Sequence, residues 1–182
     1  MSIELITGSM FSGKSTRLIA LVERNLYAKK KVLAIKWKGD TRYTDEPELR
    51  THSGLSCKCI ACDDEDIEEI FGWVDDYDVV CIDEGSFFRN IVSVCKRLAD
   101  NGKTVIVASL IGNYLLEGFG DILNLLPHCE KITMLSAICM RCHARDASFT
   151  ALKREDVERD GQPFVGGSES YEAVCRQCFN TN

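Results

Sequence analysis

The chain has 182 residues, 45% of them hydrophobic, enough for one ordinary α/β domain with a sizeable core and a small appendage. A formal net charge of −6, from 22 Lys and Arg against 28 Asp and Glu, argues against a surface that follows nucleic-acid backbone, which clusters basic side chains. No charged-then-apolar leader opens the sequence and no apolar run approaches the roughly 18 residues that span a bilayer, so a cytoplasmic protein without membrane or nucleic-acid partners is expected.

The first predicted element is an apolar strand from Ile3 to Thr7, and a helical run follows from Thr16 to Tyr27. Between them stand Gly8, Ser9, Met10, Phe11, Ser12, Gly13, Lys14 and Ser15, a phosphate-binding loop in its proper setting. The glycines let backbone N–H groups turn inward around phosphate oxygens, and the helix offers its positive dipole end. Lys14 reaches the terminal phosphates and Ser15 can ligate magnesium. The pattern implies binding of a nucleoside triphosphate.

Further strands are expected at Lys31 to Lys36, Asp78 to Ile82, Lys103 to Ser109 and Lys131 to Ile138. These runs are continuous and β-branched rather than alternating, the pattern of strands buried on both faces. Helical patterns at Asp64 to Trp73, Phe88 to Asn101 and Phe119 to Leu126 lie among them. Strand and helix in repeated alternation imply an α/β fold: a P-loop core with a mostly parallel sheet flanked by helices. Composition shifts after Ile138, where Gly161 and Gly166-Gly167 punctuate a segment too irregular for another strand–helix unit. The boundary is therefore set there, with residues 1–138 as the nucleotide-binding core and 139–182 as a small metal-binding domain.

The run Val79-Val80-Cys81-Ile82 ends in Asp83 and Glu84, as expected of the magnesium-side strand of a phosphate-loop enzyme. Asp83 suits magnesium, directly or through water. Glu84, one residue on and pointing to the other side, can accept a proton from an attacking hydroxyl; the competing reading makes it a loop or helix-cap charge.

Ten cysteines without an export signal point to thiols or metal ligands rather than disulfides. Cys139 with Cys142 and Cys175 with Cys178 are paired CxxC knuckles, the arrangement that holds four thiolates around structural zinc. Redox CxxC pairs are the alternative. The long gap between the knuckles means that the metal closes a loop rather than a minimal finger. Cys57, Cys59 and Cys62 are expected as unligated loop thiols, and Cys81, Cys95 and Cys129 as small buried hydrophobes.

The phosphate loop, Asp40-Thr41-Arg42-Tyr43, Thr51-His52, Ile82-Asp83-Glu84-Gly85, Val105-Ile106-Val107-Ala108, Ile122-Leu123-Asn124-Leu125, Ala147-Ser148-Phe149-Thr150 and the two knuckles together resemble type II thymidine kinases, the cytosolic cellular and poxvirus-like enzymes. The similarity runs in matching order along nearly the whole chain. It implies magnesium- and ATP-dependent phosphorylation of the 5′-hydroxyl of thymidine for DNA precursor salvage, while the departures named below leave deoxyuridine or a broader pyrimidine range open. It also implies a zinc-bearing small domain and a homotetramer.

Position by position, Glu84 resembles the family's catalytic base and Arg42 an arginine near the transferring phosphate. Gln162, Pro163, Phe164, Val165 and Gly166 match a zinc-anchored lasso loop that holds the base largely with main-chain groups. Met10, Asp40, Phe87, Leu110, Tyr114, Phe119, Thr150 and Tyr171 match the rest of the nucleoside site, core packing being the competing role for the apolar ones. The chain departs from the usual pattern at Ser9, Ser86, Arg89, Ile111, Leu115-Leu116-Glu117-Gly118, Leu152 and Pro163. Two other classes compete with the kinase: a P-loop ATPase or switch protein, and a zinc-ribbon binding module.

Overall fold

A computed structural model describes residues 1–40, 48–51, 54–63, 66–72, 74–153 and 166–181. In chain order the elements are β1 Ser2–Gly8, α1 Lys14–Tyr27, β2 Val32–Trp37, β3 Glu48–Arg50, β4 Ser56–Lys58, β5 Ile60–Cys62, β6 Val79–Ile82, α2 Ile91–Asp100 and β7 Thr104–Ser109. Then come α3 Ile122–Leu125, β8 Lys131–Leu135, β9 Ala137–Ile138, β10 Asp146–Ala147, β11 Phe149–Leu152, β12 Tyr171–Val174 and α4 Arg176–Asn180.

Six strands form one sheet in the order β5-β2-β6-β7-β1-β8, and every pairing is parallel. Alternation along each strand divides the core in two. Ile6, Ala34, Cys81, Ile106 and Ala108 meet Leu18, Ile19, Leu21 and Val22 of α1 on one face. On the other, Leu5, Ile35, Val80, Ile82, Val105 and Val107 meet Ile91, Val94, Cys95 and Leu98 of α2 and Ile122 and Leu125 of α3. Each fully buried aliphatic side chain contributes about 1.5–3 kcal/mol, so the central strands are the most strongly held part of the fold. In such sheets, ligands gather beyond the carboxyl ends of the strands.

Several expected elements differ. The run Lys131 to Ile138 breaks at Ser136: β8 ends there, and Ala137–Ile138 leaves the sheet to pair antiparallel with β10. Nor is β8 buried on both faces; it is an edge strand, with Ile132 49% and Met134 66% exposed. The expected α-helix from Asp64 to Trp73 is a 3-10 helix, Asp66–Gly72, because buried Ile67 and Ile70 repeat every three residues and so share a face at that pitch. The helix expected from Phe88 begins at Ile91, since Gly85–Phe87 forms a 3-10 turn and Phe88 is extended. That expected from Phe119 to Leu126 shrinks to α3, and Pro127 sits in the 3-10 turn that follows.

Strands β3, β4 and β5 carry no clear sequence signal, being only three residues each. They correct the expected loop around the first three cysteines: Cys57 lies on β4 and buried Cys62 on β5, with Cys59 between the two strands. Beyond Ser136, β11 and β12 pair antiparallel, and Ala137, Cys139, Ala147, Ala151, Ala173 and Val174 form a separate small core. No helix among the described residues is long and apolar enough to cross a membrane.

Candidate active site

The phosphate loop joins β1 to α1 through two glycines, one closed to a side chain by contact and the other disfavouring one by its backbone conformation. Gly8 has φ 151°, and a Cβ there would sit 2.2 Å from the Leu135 carbonyl oxygen. Gly13 is left-handed at φ 84° and opens α1 directly into Lys14. The first turn of α1 holds no acidic residue, so its free N–H groups present an uncompensated positive end suited to phosphate. Lys14 is buried and its Nζ donates to the Ser9 carbonyl at 2.9 Å, which keeps the ammonium over the loop. Ser12 Oγ donates to the same carbonyl at 2.8 Å.

Two further bonds tie this loop to the small cysteine-bearing lobe. Ser9 Oγ donates to the Ala147 carbonyl at 2.8 Å, and the Met10 N–H donates to Thr150 Oγ1 at 3.0 Å. Ser9, one of the departures from the family pattern, thus ties the loop to that lobe through its side chain.

Strand β6 is wholly buried and delivers Asp83 and Glu84, only 5% and 7% exposed, to the carboxyl edge of the sheet beside that loop. Glu84 adopts φ 53°, a left-handed conformation uncommon for a residue with a side chain and concentrated at functional sites. The surroundings enforce it. The Glu84 N–H donates to Asp83 Oδ1 at 3.1 Å, and the Phe87 N–H to the Glu84 carbonyl at 3.1 Å. A Cβ on Gly85 would lie 2.6 Å from Val107 Cγ1, so the turn is packed flat on the sheet.

Glu84 faces a cleft whose remaining walls come from distant parts of the chain: Met10, Trp37, Asp40, Phe87, Leu110, Gly112, Asn113, Tyr114, Phe119, Thr150, Gly166 and Tyr171. The cleft is narrow, with about 40 Å³ of free room, and its lining of aromatic and apolar side chains with a few polar groups is that of a small-ligand site. Aromatic rings line both ends. Phe87 stacks on Trp37 with centroids 4.2 Å apart and meets Phe119 edge-on at 5.3 Å, while Tyr114 and Tyr171 lie 6.2 Å apart. Leu152, unexpected beside the family pattern, is buried with Met10 and Tyr171, against which Leu110 and Tyr114 pack.

Every described residue expected at the nucleoside site thus lines one cleft with Glu84. Arg42, Gln162, Pro163, Phe164 and Val165 lie outside the described residues. Trp37, Gly112 and Asn113 were not foreseen. For Trp37 a signal was present, because it ends a parallel strand at the ligand-binding edge, three residues before Asp40.

Sulfur atoms of Cys139, Cys142, Cys175 and Cys178 all lie within 4.8 Å of one another, and those of Cys142 and Cys175 are 4.0 Å apart. Disulfide bonding requires about 2.05 Å, whereas tetrahedral zinc with Zn–S near 2.3 Å places sulfurs about 3.8 Å apart. The donor set fits structural zinc. Burial pushes the Cys139 thiol up, yet N–H groups of Cys142, Cys175 and Arg141 outweigh it and bring it down to about 6, a site prepared for thiolate. Burial pushes Cys178 up to about 12, so this ligand depends most on metal to ionise. Arg141 joins the knuckles, bonding Glu172 Oε1 at 2.6 Å and the Cys178 carbonyl at 2.7 Å.

The family model described as thymidine kinase matches residues 1–179, which takes in the phosphate loop, the Glu84 turn and both knuckles. The chain belongs to the thymidine kinase family. The thymidine kinase of Myxoma virus (strain Lausanne) is 42% identical over 178 residues, covering 97% of this chain and 95% of the viral protein. Thymidine kinase 1 of Dictyostelium discoideum is 40% identical over 183 residues, covering 99% of this chain and 78% of its own. Vaccinia virus (strain Western Reserve) thymidine kinase is 40% identical over 177 residues, with 97% and 96% covered. Membership in the thymidine kinase family favours neither the switch-protein nor the binding-module reading.

Proposed function

We propose that this chain transfers the γ-phosphate of ATP to the 5′-hydroxyl of thymidine, accepting deoxyuridine as well, and so supplies nucleoside monophosphate for DNA precursor salvage. The observation that carries the reading is the meeting of the Glu84 carboxylate, at the end of β6, with an aromatic cleft that begins at Met10 of the phosphate loop.

Glu84 is the catalytic base: its carboxylate takes the proton from the 5′-hydroxyl and orients the nucleophile. Gly8 to Ser15 hold ATP, with backbone N–H groups and Lys14 offsetting the charge of its phosphates, and Arg42 joins them at the transferring group. Ser15 and Asp83 would hold magnesium, which would offset the negative charge of the phosphates. Phe87, Phe119, Tyr114 and Tyr171 enclose the faces of the nucleoside, and Asp40 accepts a hydrogen bond from it. Met10, Leu110 and Thr150 bound its depth, and main-chain groups of residues 162–166 read its base edge.

Cys139, Cys142, Cys175 and Cys178 would hold zinc and so anchor that lasso, within a small domain at 139–182 beside the core at 1–138. A homotetramer in the cytoplasm completes the reading. The test is a coupled assay with ATP, magnesium and a nucleoside panel. ADP release that depends on thymidine supports the kinase; equal release without nucleoside supports an ATPase, and none at all a binding module.

A further inference from the structure

We propose that Trp37 is a positioning residue for this reaction: its indole is the strut that fixes the turn carrying Asp40 against the turn carrying Glu84. The inference rests on the thymidine kinase reading and adds a residue that no part of that reading assigns.

Strands β2 and β6 are parallel neighbours, in register from Val32–Val79 to Ile35–Ile82, and each runs into a tight turn at the same edge of the sheet. In the first turn the Asp40 N–H donates to the Trp37 carbonyl at 3.0 Å; in the second the Phe87 N–H donates to the Glu84 carbonyl at 3.1 Å. Each turn therefore binds one aromatic residue to one carboxylate residue, and both carboxylates line the same cleft. The two aromatic rings meet between the turns, 4.2 Å apart and only 8° from parallel. Apart from the strand ladder beneath, this stack is a direct brace between the two acids.

The opposite face of the indole is also held. A Cβ built on Gly39 would fall 2.2 Å from Trp37 Cη2 and 2.5 Å from both Cζ2 and Cζ3. Near-equal approach to three adjacent ring atoms places it over the ring face, not beyond the ring edge. Phe87 already covers one face at stacking distance, so the Gly39 backbone covers the other. Glycine at 39 is thus a steric requirement of tryptophan at 37. Phe119, edge-on to Phe87 at 5.3 Å and 78°, packs a third ring against the stack. An apolar ring spaces two carboxylates without neutralising either, as a cation there would. Because phosphoryl transfer depends on alignment, a displacement of about 1 Å can cost on the order of 100-fold in rate.

The test uses full-length, zinc-loaded enzyme and four variants: Trp37→Ala, Trp37→Phe, Gly39→Ala and the Trp37→Ala/Gly39→Ala double. Trp37→Ala is expected to lower kcat with thymidine about 10- to 100-fold while the KM for ATP moves less than about 3-fold, since the phosphate loop is untouched. Trp37→Phe, which keeps a ring against Phe87, restores most of kcat. Gly39→Ala, which adds one methyl and removes no group, imitates Trp37→Ala. In the double variant it adds no further loss, because the atoms it struck are gone. Urea midpoints and zinc content verify that each variant is folded. Folded Trp37→Ala and Gly39→Ala enzymes with wild-type kcat, or losses that simply add in the double variant, would overturn the strut while leaving the kinase reading intact. A wild-type protein that forms no ADP with any nucleoside overturns both.

Discussion

Gly120→Ala is the sharpest probe of how the loop after β7 supports the catalytic turn. Gly120 has φ 59°, and a Cβ there would lie 2.2 Å from the Ser86 carbonyl oxygen, 3.0 Å from its carbon and 3.2 Å from its Cα. Carbon and oxygen normally keep about 3.3–3.6 Å, so the overlap is about 1 Å and falls on backbone that cannot rotate away. Overpacking of this kind costs about 1–3 kcal/mol, and the left-handed conformation adds about 1–2 kcal/mol for alanine. A combined loss of about 2–5 kcal/mol corresponds to a fall of roughly 4–20 °C in melting temperature for a chain of this size.

The damage should also reach catalysis. Ser86 lies between Glu84 and Phe87, and Gly120 follows Phe119, so relief of the overlap moves the base and an aromatic wall together. We expect kcat to fall at least about 10-fold in steady-state assays at fixed temperature, with the KM for ATP little changed. Gly102→Ala is the control: Gly102 is also left-handed, at φ 84°, but its Cβ would meet nothing within 4 Å, so only the conformational cost of about 1–2 kcal/mol applies. A Gly120→Ala enzyme no less stable than Gly102→Ala, with unaltered kcat, would refute the reasoning.

Glu84→Gln should reduce kcat by about 10²- to 10⁴-fold while thymidine affinity, read by calorimetry, stays within about 3-fold; undiminished turnover removes Glu84 as base. Lys14→Ala should weaken ATP binding and turnover together, and a change in only one would separate roles assigned here to one ammonium. Chelation of zinc should weaken thymidine binding first and reach ATP later through the Ser9–Ala147 and Met10–Thr150 bonds; thymidine affinity that survives complete zinc removal would contradict this order. Burial pushes the Cys57 thiol up to about 11 and Cys59 to about 12, and raises Cys81 and Cys95 as well. Folding thus favours the protonated thiols, so their contribution is fully present below the ordinary thiol value of 9.0 and is lost as pH rises through about 11. Urea midpoints in reductant should drop between about pH 8 and pH 10.5, and identical midpoints would count against these buried thiols.

The parts of the site that were legible in the sequence are those whose chemistry is local. Gly8 and Gly13 flank a loop that only their backbone freedom permits, and Lys14 and Ser15 follow at once. Asp83 and Glu84 close an unbroken apolar run, and each CxxC pair announces itself over four residues. The central strands were equally plain, because burial on both faces writes continuous hydrophobicity into the chain. Where burial is one-sided or the element short, the signal failed: β8 reads as a core strand yet lies at the edge, and β3 to β5 are too brief to show a period.

Which loop, which metal ligands and which strand end bear acids were determined by sequence alone, since each follows from the covalent nature of a few neighbouring residues. Tertiary structure decided what meets what. The stacking of Trp37 on Phe87, the Ser9 bond to Ala147, the convergence of the two knuckles and the left-handed turn at Glu84 all depend on segments far apart in the chain being packed against one sheet. No local periodicity encodes such contacts; they exist only after the burial of apolar faces has outweighed the entropy of closing the loops between them.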